Sequence, residues 1–522
     1  MIHFIIENMH KDTLHFNSQE KLKAGIDKVA RAVGVTMGTG GSNTIIEAIE
    51  APGYLTTNDG YSIANAILLS DPIEDLGRKM LLESINRANK ASGDGSSTTC
   101  VLTAAIIEEG LKAEGHPMDI KRSIEACLPV IEDSIATQTQ HIVSEGIIDT
   151  ERLKQVATIS AEDEEIGGRI ADIYNQIGPK GIIHWDVSKT TEDYYTIGSG
   201  ITVEGATYIS PYMCDSDEAG LSTNEIRLAN PYILLTKQKI VSASDFNTIA
   251  SLLNAKEVKD MIVFVDDFDP LILADIIKTR MTKGFRISIV KMPVLYKDLW
   301  YEDLSKTTGA TIIDPVAGLT MKQVGLEHLG RVGNIVIDKE DTYLDGIKDI
   351  SDHIKAIEEE GTDEADLRAT RLNTKTARYY VGAQSESALS YRRLKVEDAI
   401  AAASQALNGG IVAGGGIALL NASKLVDSEI LKKALVKPIT TIAENIGWNG
   451  DGKACGGTMG LNTKTGEIVD MFEEGIVDPA NVVLNAVRNA ISVAATVITA
   501  PTIITLPRVE ETNQIHPNLV VR

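Results

Sequence analysis

Between residues 261 and 293 the chain reads "MIVFVDD", then "DPLILADIIKTRM", then "FRISIVKMP": an apolar strand, an apolar helix and a second strand. That order is a βαβ pattern, the mark of an α/β domain with parallel strands. On both sides the periodicity is helical, over 18–35, 72–91, 96–111, 118–139 and 151–177 before it, and over 384–408 and onward to about 499 after it. At 522 residues the chain is too long for one ordinary core. An α/β segment enclosed by helical halves therefore predicts a multidomain α and α/β fold, with a mostly helical body that the chain leaves and re-enters. Within it, 44–70 reads as short strands around the turn "TTNDGYS", and "GPKGIIHWDVS" switches to strand alternation. "KEDTYLDGIKD" looks like a hairpin tip and "EEEGTDEADLRATR" like a solvated helix.

Charge narrows the partners. Lys plus Arg number 50 against 73 Asp plus Glu, a formal charge of −23 that disfavours attraction to nucleic acid or an anionic membrane. Aromatic residues make up only 5% and do not interleave with basic ones, which weakens a nucleic-acid role further. Cys100, Cys127, Cys214 and Cys455 are scattered without CxxC or zinc spacing, so reduced, buried thiols in a cytosol-like compartment are expected. The start "MIHFIIENMHKD" lacks a basic leader, and no stretch is expected to reach the apolar length of a bilayer span.

The chemistry concentrates in "SGDGSSTTCVL", residues 92–102. Upstream, Asp71-Pro72 reads as an N-cap with proline at the first helical position, and Leu76, Met80, Ile85 and Ala88 keep one face. Downstream, Val101, Leu102, Ala105, Ile106 and Leu111 recur at helical spacing. The motif thus opens the second of two helices. Unpaired N–H groups, glycines that permit close approach and hydroxyl donors suit phosphate there. Asp94 suits the Mg²⁺ that phosphate brings. A C-cap glycine followed by a Ser/Thr N-cap explains the same letters without any ligand.

Two further glycine-rich loops, 36–43 and 409–416, accompany it. None matches GxxxxGK[ST], and neither a GxGxxG after a strand nor an HExxH is present. Taken singly, "AGGGIAL" fits a tight interhelical contact, Asp59 an ordinary Asp-Gly turn, and Asp398 in "LKVEDAI" a solvated acid near a helix start.

The joint order overrides those single readings. TMGTGGSN, TTNDG, GDGSSTT, VATISAEDE, YISPY, VEDAI, VAGGG and GIVDP follow one another as in the group I chaperonins, the GroEL family, which the chain resembles from about residue 17 to about 508. The resemblance implies an ATP-driven protein-folding chaperonin. Its equatorial domain would comprise 1–142 and 409–522, its intermediate hinge domain 143–199 and 377–408, and its apical client-binding domain 200–376. By the same resemblance Asp94 is the magnesium ligand, and Gly93, Gly95, Ser96, Ser97 and Thr98 form the phosphate-cradling turn. Thr36, Met37, Gly38 and Thr39 match the first phosphate loop. Gly415 lies under the adenine, Asp478 contacts ribose, and Ile159 and Ile476 pack around the base. Asp398 matches the catalytic carboxylate that orients the attacking water, and Asp59 its partner near the terminal phosphate. A potassium ion is a further family cofactor.

The middle segment resembles the apical domain that captures non-native protein clients. Tyr208, Tyr212, Met213, Ile249, Leu252, Ile272, Ile276 and Ile277 fall on or near that family's apolar rim, where each Å² removed from water contributes roughly 25 cal/mol. The alternative is a plain α/β core. The resemblance also implies a homo-oligomeric ring of seven subunits, a co-chaperonin, and a cytoplasmic location, the host's if the chain is viral. A ring-forming holdase with weak or lost ATPase is the alternative activity. Departures stand out: Asn58 replaces the family's lysine, Thr39 its proline, and Asn462-Thr463-Lys464 its Asn-Ala-Ala beneath the base. Thr374 and Lys375 stand where the return strand of the hinge has paired glycines.

Overall fold

The computed structural model describes residues 14–16, 18–47, 54–215, 225–240, 260–271, 273–274, 277–278, 286–372, 375–448 and 456–505. The chain forms two compact units: 1–179 with 187–192 and 381–522, and 180–186 with 193–380. A helical unit is therefore entered twice and an α/β unit is inserted, which is the architecture the order of periodicities implies.

Six helices build the functional part of the first unit. They are α1 (Gln19–Gly34), α2 (Pro72–Ser92), α3 (Ser96–Lys112), α4 (Thr150–Ala161), α5 (Glu386–Gly409) and α6 (Ala480–Ile498). In α1, Leu22, Ile26, Val29 and Val33 recur every three or four residues and are buried together. Helix α2 starts as its sequence dictates, with the Asp71 carboxylate accepting the Ile73 and Glu74 N–H groups and Pro72 occupying the first turn. It ends where Gly93 turns left-handed, its N–H returning to the Asn89 carbonyl. Helix α6 packs on α2 and α3 and buries Val483, Val487, Ile491 and Ala494 in one core with Ile26, Leu81, Ile85, Leu102 and Ile106.

Two sequence expectations change here. By length and composition α6 could cross a bilayer, contrary to the expectation that no stretch reaches that length; in the fold most of it is buried as a central helix of the unit. The stretch after "TTNDG" is not a strand. Thr44–Glu47 and Tyr54–Thr57 pair as a hairpin, but Gly60–Ala66 is a helix. Its N-cap is Asp59, whose carboxylate takes the Tyr61 and Ser62 N–H groups.

The inserted unit carries two six-stranded sheets. In one, Tyr232–Thr236, Asp260–Val265 and Arg286–Lys291 run parallel side by side, and Ile312–Ile313 is parallel on the other edge of Tyr232–Thr236. Ile262, Val263 and Phe264 are fully buried, as a strand covered on both faces requires. The other sheet runs Ile182–Val187, Lys375–Val381, Tyr194–Glu204, Asp341–Asp345, Asn334–Ile337 and Ile226–Ala229. Asn334–Ile337 and Asp341–Asp345 are the two arms of the hairpin whose tip the charged "KEDTYLDGIKD" suggested, and the helix expected in "EEEGTDEADLRATR" is Asp363–Leu372, which is not solvated all round, since Ala365, Ala369 and Leu372 are buried in the core. Where the resemblance implies a hinge, Lys375 lies opposite Ser199, and Thr374 falls outside the described residues.

Candidate functional site

Within the first unit the three glycine-rich loops close around one cleft of about 590 Å³, a size typical of small-molecule sites. Thr36–Thr39, Asp59, Asp94–Thr98, Ile159, Asp398, Gly415, Asn462–Lys464, Ile476 and Asp478 all line it. Residues more than 400 positions apart in the chain thus meet.

Its floor is the start of α3. The first intrahelical bond brings the Thr99 N–H to the Gly95 carbonyl at 3.0 Å, which leaves the Ser96, Ser97 and Thr98 amides as the open donors of the first turn. Gly95 is the left-handed N-cap, and a side chain there would run into Val482. Gly93 does not line the cleft. It has a packing constraint: at φ +68° it lets α5 approach so closely that a Cβ would sit 2.3 Å from that of Ala401. The first loop is pinned from behind by Asn445, whose amide donates to the Gly34 and Met37 carbonyls, each at 2.9 Å. At the end of the same loop the Thr39 and Thr463 hydroxyls hydrogen-bond each other, so two of the family departures form one contact. Ile411–Ala413 pairs antiparallel with Val477–Pro479, placing Asp478 beside the Gly414–Gly416 turn.

Carboxylates dominate the interior. Asp94 accepts the Gly95 N–H and, at 3.3 Å, the Ser160 hydroxyl. Burial nevertheless raises its pKa, and the Asp59 charge adds to the rise, against opposing help from Lys395. Asp398, on α5 rather than in a solvated helix start, is raised well above the usual carboxylate range by burial and then by the charges of Asp94 and Asp59. Asp478 is pushed up to about 6, again by burial first and Asp94 second. These acids sit where desolvation opposes their charge, so a cation held among them would relieve the conflict. Among the described residues no group of three or more His, Cys, Asp or Glu side chains forms a ready-made metal cage. Magnesium fits that donor set, because it binds through one or two carboxylates and takes its remaining ligands from phosphate and water.

Sequence reasoning missed Lys395, Glu162 and Ser160, all of which line the cleft. Lys395 stands three residues before Asp398 on one helix, a spacing that places both on one face and was available as a signal. Glu162, held left-handed at the end of α4, had no local signature.

The apolar residues expected at a rim of the inserted unit divide. Tyr212 is 78% exposed, and Ile277 is half-buried. Tyr208 and Met213 are corrections: both are buried in that unit's core, where they pack with its parallel sheet rather than facing outward. Ile249, Leu252, Ile272 and Ile276 lie outside the described residues.

The model of the TCP-1/cpn60 chaperonin family matches residues 29–263 and 255–507. Among solved structures, the chain is similar to the chaperonin gp146 from bacteriophage EL 2 (Pseudomonas aeruginosa), solved in two crystal forms in the presence of ATP-BeFx. Against one form the identity is 19% and the TM-score 0.66, with 94% of this chain and 98% of that one covered. Against the other the values are 18% and 0.62, covering 95% and 99%. With the family model spanning nearly its whole length, the chain belongs to the TCP-1/cpn60 chaperonin family.

Proposed function

We propose that this chaperonin is an ATPase of the group I kind, whose cleft binds Mg-ATP and whose hydrolysis drives a ring between capturing non-native proteins and releasing them to fold. One observation carries the reading: Asp59, Asp94 and Asp398 line the same cleft as the open amides of α3. Phosphoryl transfer asks the protein for charge neutralisation and for one group that positions water, and little covalent chemistry. Magnesium, when bound, would supply the positive charge that phosphate oxygens and buried carboxylates share. Asp94 would hold it. The amides of Ser96, Ser97 and Thr98, at the positive end of α3, would take phosphate oxygens. Asp398 would orient the attacking water and accept its proton. Its raised pKa suits a switch: once the charge of Asp94 is neutralised, one of the forces that keeps Asp398 protonated is gone.

Asn462, Thr463, Lys464, Ile159, Ile476, Gly415 and Asp478 form the remaining wall, which we assign to base and ribose. We read 1–142 and 409–522 as the equatorial domain, 143–199 and 377–408 as the intermediate domain, which takes in the edges of the inserted unit, and the rest of that unit, 200–376, as the apical domain. Its exposed Tyr212, Leu271, Val294 and Val316 offer apolar surface to unfolded chains. Steady-state phosphate release tests the enzyme reading. Asp398→Ala is expected to lower the rate at least about a hundredfold while nucleotide still binds. Equal, negligible release from wild type and variant would instead make this a holdase.

A further inference from the structure

Lys395 is the least expected group in the cleft. It is buried, at 7% exposure, although lysine is seldom fully buried unless paired. Its ammonium lies 2.9 Å from a Glu162 oxygen, and the Asn58 amide donates to that same oxygen at 3.0 Å. The Tyr391 ring, one turn earlier on α5, closes off another side at 5.7 Å. Asn58 precedes Asp59, Glu162 follows Ser160 on the way out of α4, and Lys395 precedes Asp398 on α5. One carboxylate therefore ties together the three segments that deliver Asp59, the Asp94-binding hydroxyl and Asp398.

The ammonium also acts on the acids. Its charge favours the ionised forms of both Asp94 and Asp398. Lys395 lines the same cleft as Asp94 and Asp398 and stands one helical turn before Asp398 on α5, so its buried charge faces a space that these carboxylates share. From this geometry we infer that Lys395 is a built-in counter-cation, anchored by Glu162, which offsets the Asp94 and Asp398 carboxylates while no divalent ion is present and keeps Asp398 positioned in the cleft. The inference deepens the Mg-nucleotide reading and rests on it only for the identity of the ion. Lys395 acts through Asp94 and Asp398, so it is a positioning residue.

A resident positive charge must weaken the attraction of the cluster for a second cation. Removing it therefore lowers stability without metal and strengthens the response to metal. Full-length protein without nucleotide would be melted across a MgCl₂ series at constant ionic strength. Lys395→Met is expected to melt lower than wild type in the absence of Mg²⁺, to gain more from Mg²⁺, and to reach half its gain at a roughly tenfold lower concentration. Lys395→Arg should respond as wild type. A lower melting point with an unchanged Mg²⁺ response would overturn the inference, because that is what a purely structural lysine gives. Absence of any Mg²⁺ response in both proteins would overturn it too. Should Lys395→Met fail to fold, Glu162→Gln carries the test with the opposite sign: freed from its anchor, the ammonium competes more strongly, and the Mg²⁺ response must weaken several-fold. An unchanged or stronger response rules the inference out. Wild-type phosphate release is measured separately, so loss of the nucleotide reading and loss of this role are told apart.

Discussion

Two buried charge clusters, one in each unit, are handled in opposite ways. In the inserted unit the buried Asp303 and Arg378 are closed in ion pairs. Arg368 grips Asp303 with two nitrogens while His353 reaches the same carboxylate at 2.8 Å. Arg378 bridges Asp345 and Asp186. In the helical unit the interior acids Asp94, Asp398 and Asp478 have amides and a hydroxyl for support and, for Asp94 and Asp398, the charge of the Lys395 ammonium, and burial still drives their pKa values up. A cluster of closed ion pairs is electrically finished without ligand. A cluster with surplus carboxylate is not, and its stability is coupled to whatever cation arrives.

pH separates the two sharply. Asp478 has its folded-state pKa raised from 3.8 to about 6. A raised acid contributes stability that is fully present below the unfolded value and is lost as pH rises through the folded one. The helical unit should therefore lose roughly 2–3 kcal/mol between pH 4 and 7 from this group alone when no cation is bound. Asp478→Asn, which imitates the protonated form, is expected to raise the melting temperature at pH 7.5, to raise it by roughly half as much at pH 5, and to leave it nearly unchanged near pH 3.5. A variant that melts at or below wild type at pH 7.5 would break the contrast between the units.

The inserted unit should tilt the other way. His184 is pulled down to about 3, by burial first and then by the charges of Arg378 and Arg227. Its ring meets Tyr343 edge-on at 4.7 Å. A depressed histidine leaves the folded state neutral while the unfolded chain takes up a proton, so stability is present above pH 6.5 and falls as pH drops towards 3. At pH 5 the loss is about 1–2 kcal/mol. Hydrogen exchange followed by mass spectrometry on peptides of this unit should show weaker protection at pH 5 than at pH 7, after correction for intrinsic rates. His184→Phe should flatten that slope, and a slope that survives the substitution would assign it to another group.

Much of the cleft was legible in the letters because its chemistry is local. Gly95 needs a left-handed backbone, the Asp71 and Asp59 caps need a short acceptor, and the Ser-Ser-Thr run needs a helix start, so each announces itself within a few residues. The βαβ order likewise follows from runs such as Met261–Val265 that only a doubly covered strand explains. What was not legible depends on contacts far apart in the chain. Glu162 and Lys395 are separated by 233 residues, and nothing near either predicts their meeting. The packing constraint on Gly93 likewise comes from Ala401, some three hundred residues on. Tyr208 and Met213 show the same limit, since an apolar residue beside a strand edge reads alike whether it faces the sheet or the solvent.

The smallest expected effect on stability probes that last ambiguity. Tyr212 is 78% exposed although Met213, its neighbour, is buried at 1%. Both belong to a single short 3-10 turn that starts at Pro211, with the Ser210 hydroxyl capping the Tyr212 N–H. The turn thus spends one side chain on the core and projects the next into solvent. An aromatic ring left in water has no folding role to lose, so Tyr212→Ser should change stability by less than about 0.5 kcal/mol. If the exposed surface of the inserted unit holds unfolded chains, the same substitution should weaken suppression of a denatured protein's aggregation by roughly fivefold, the worth of part of one ring removed from water. Unchanged suppression with unchanged stability would show that capture proceeds elsewhere on the unit, and would place the second half of the contrast on surface other than this turn.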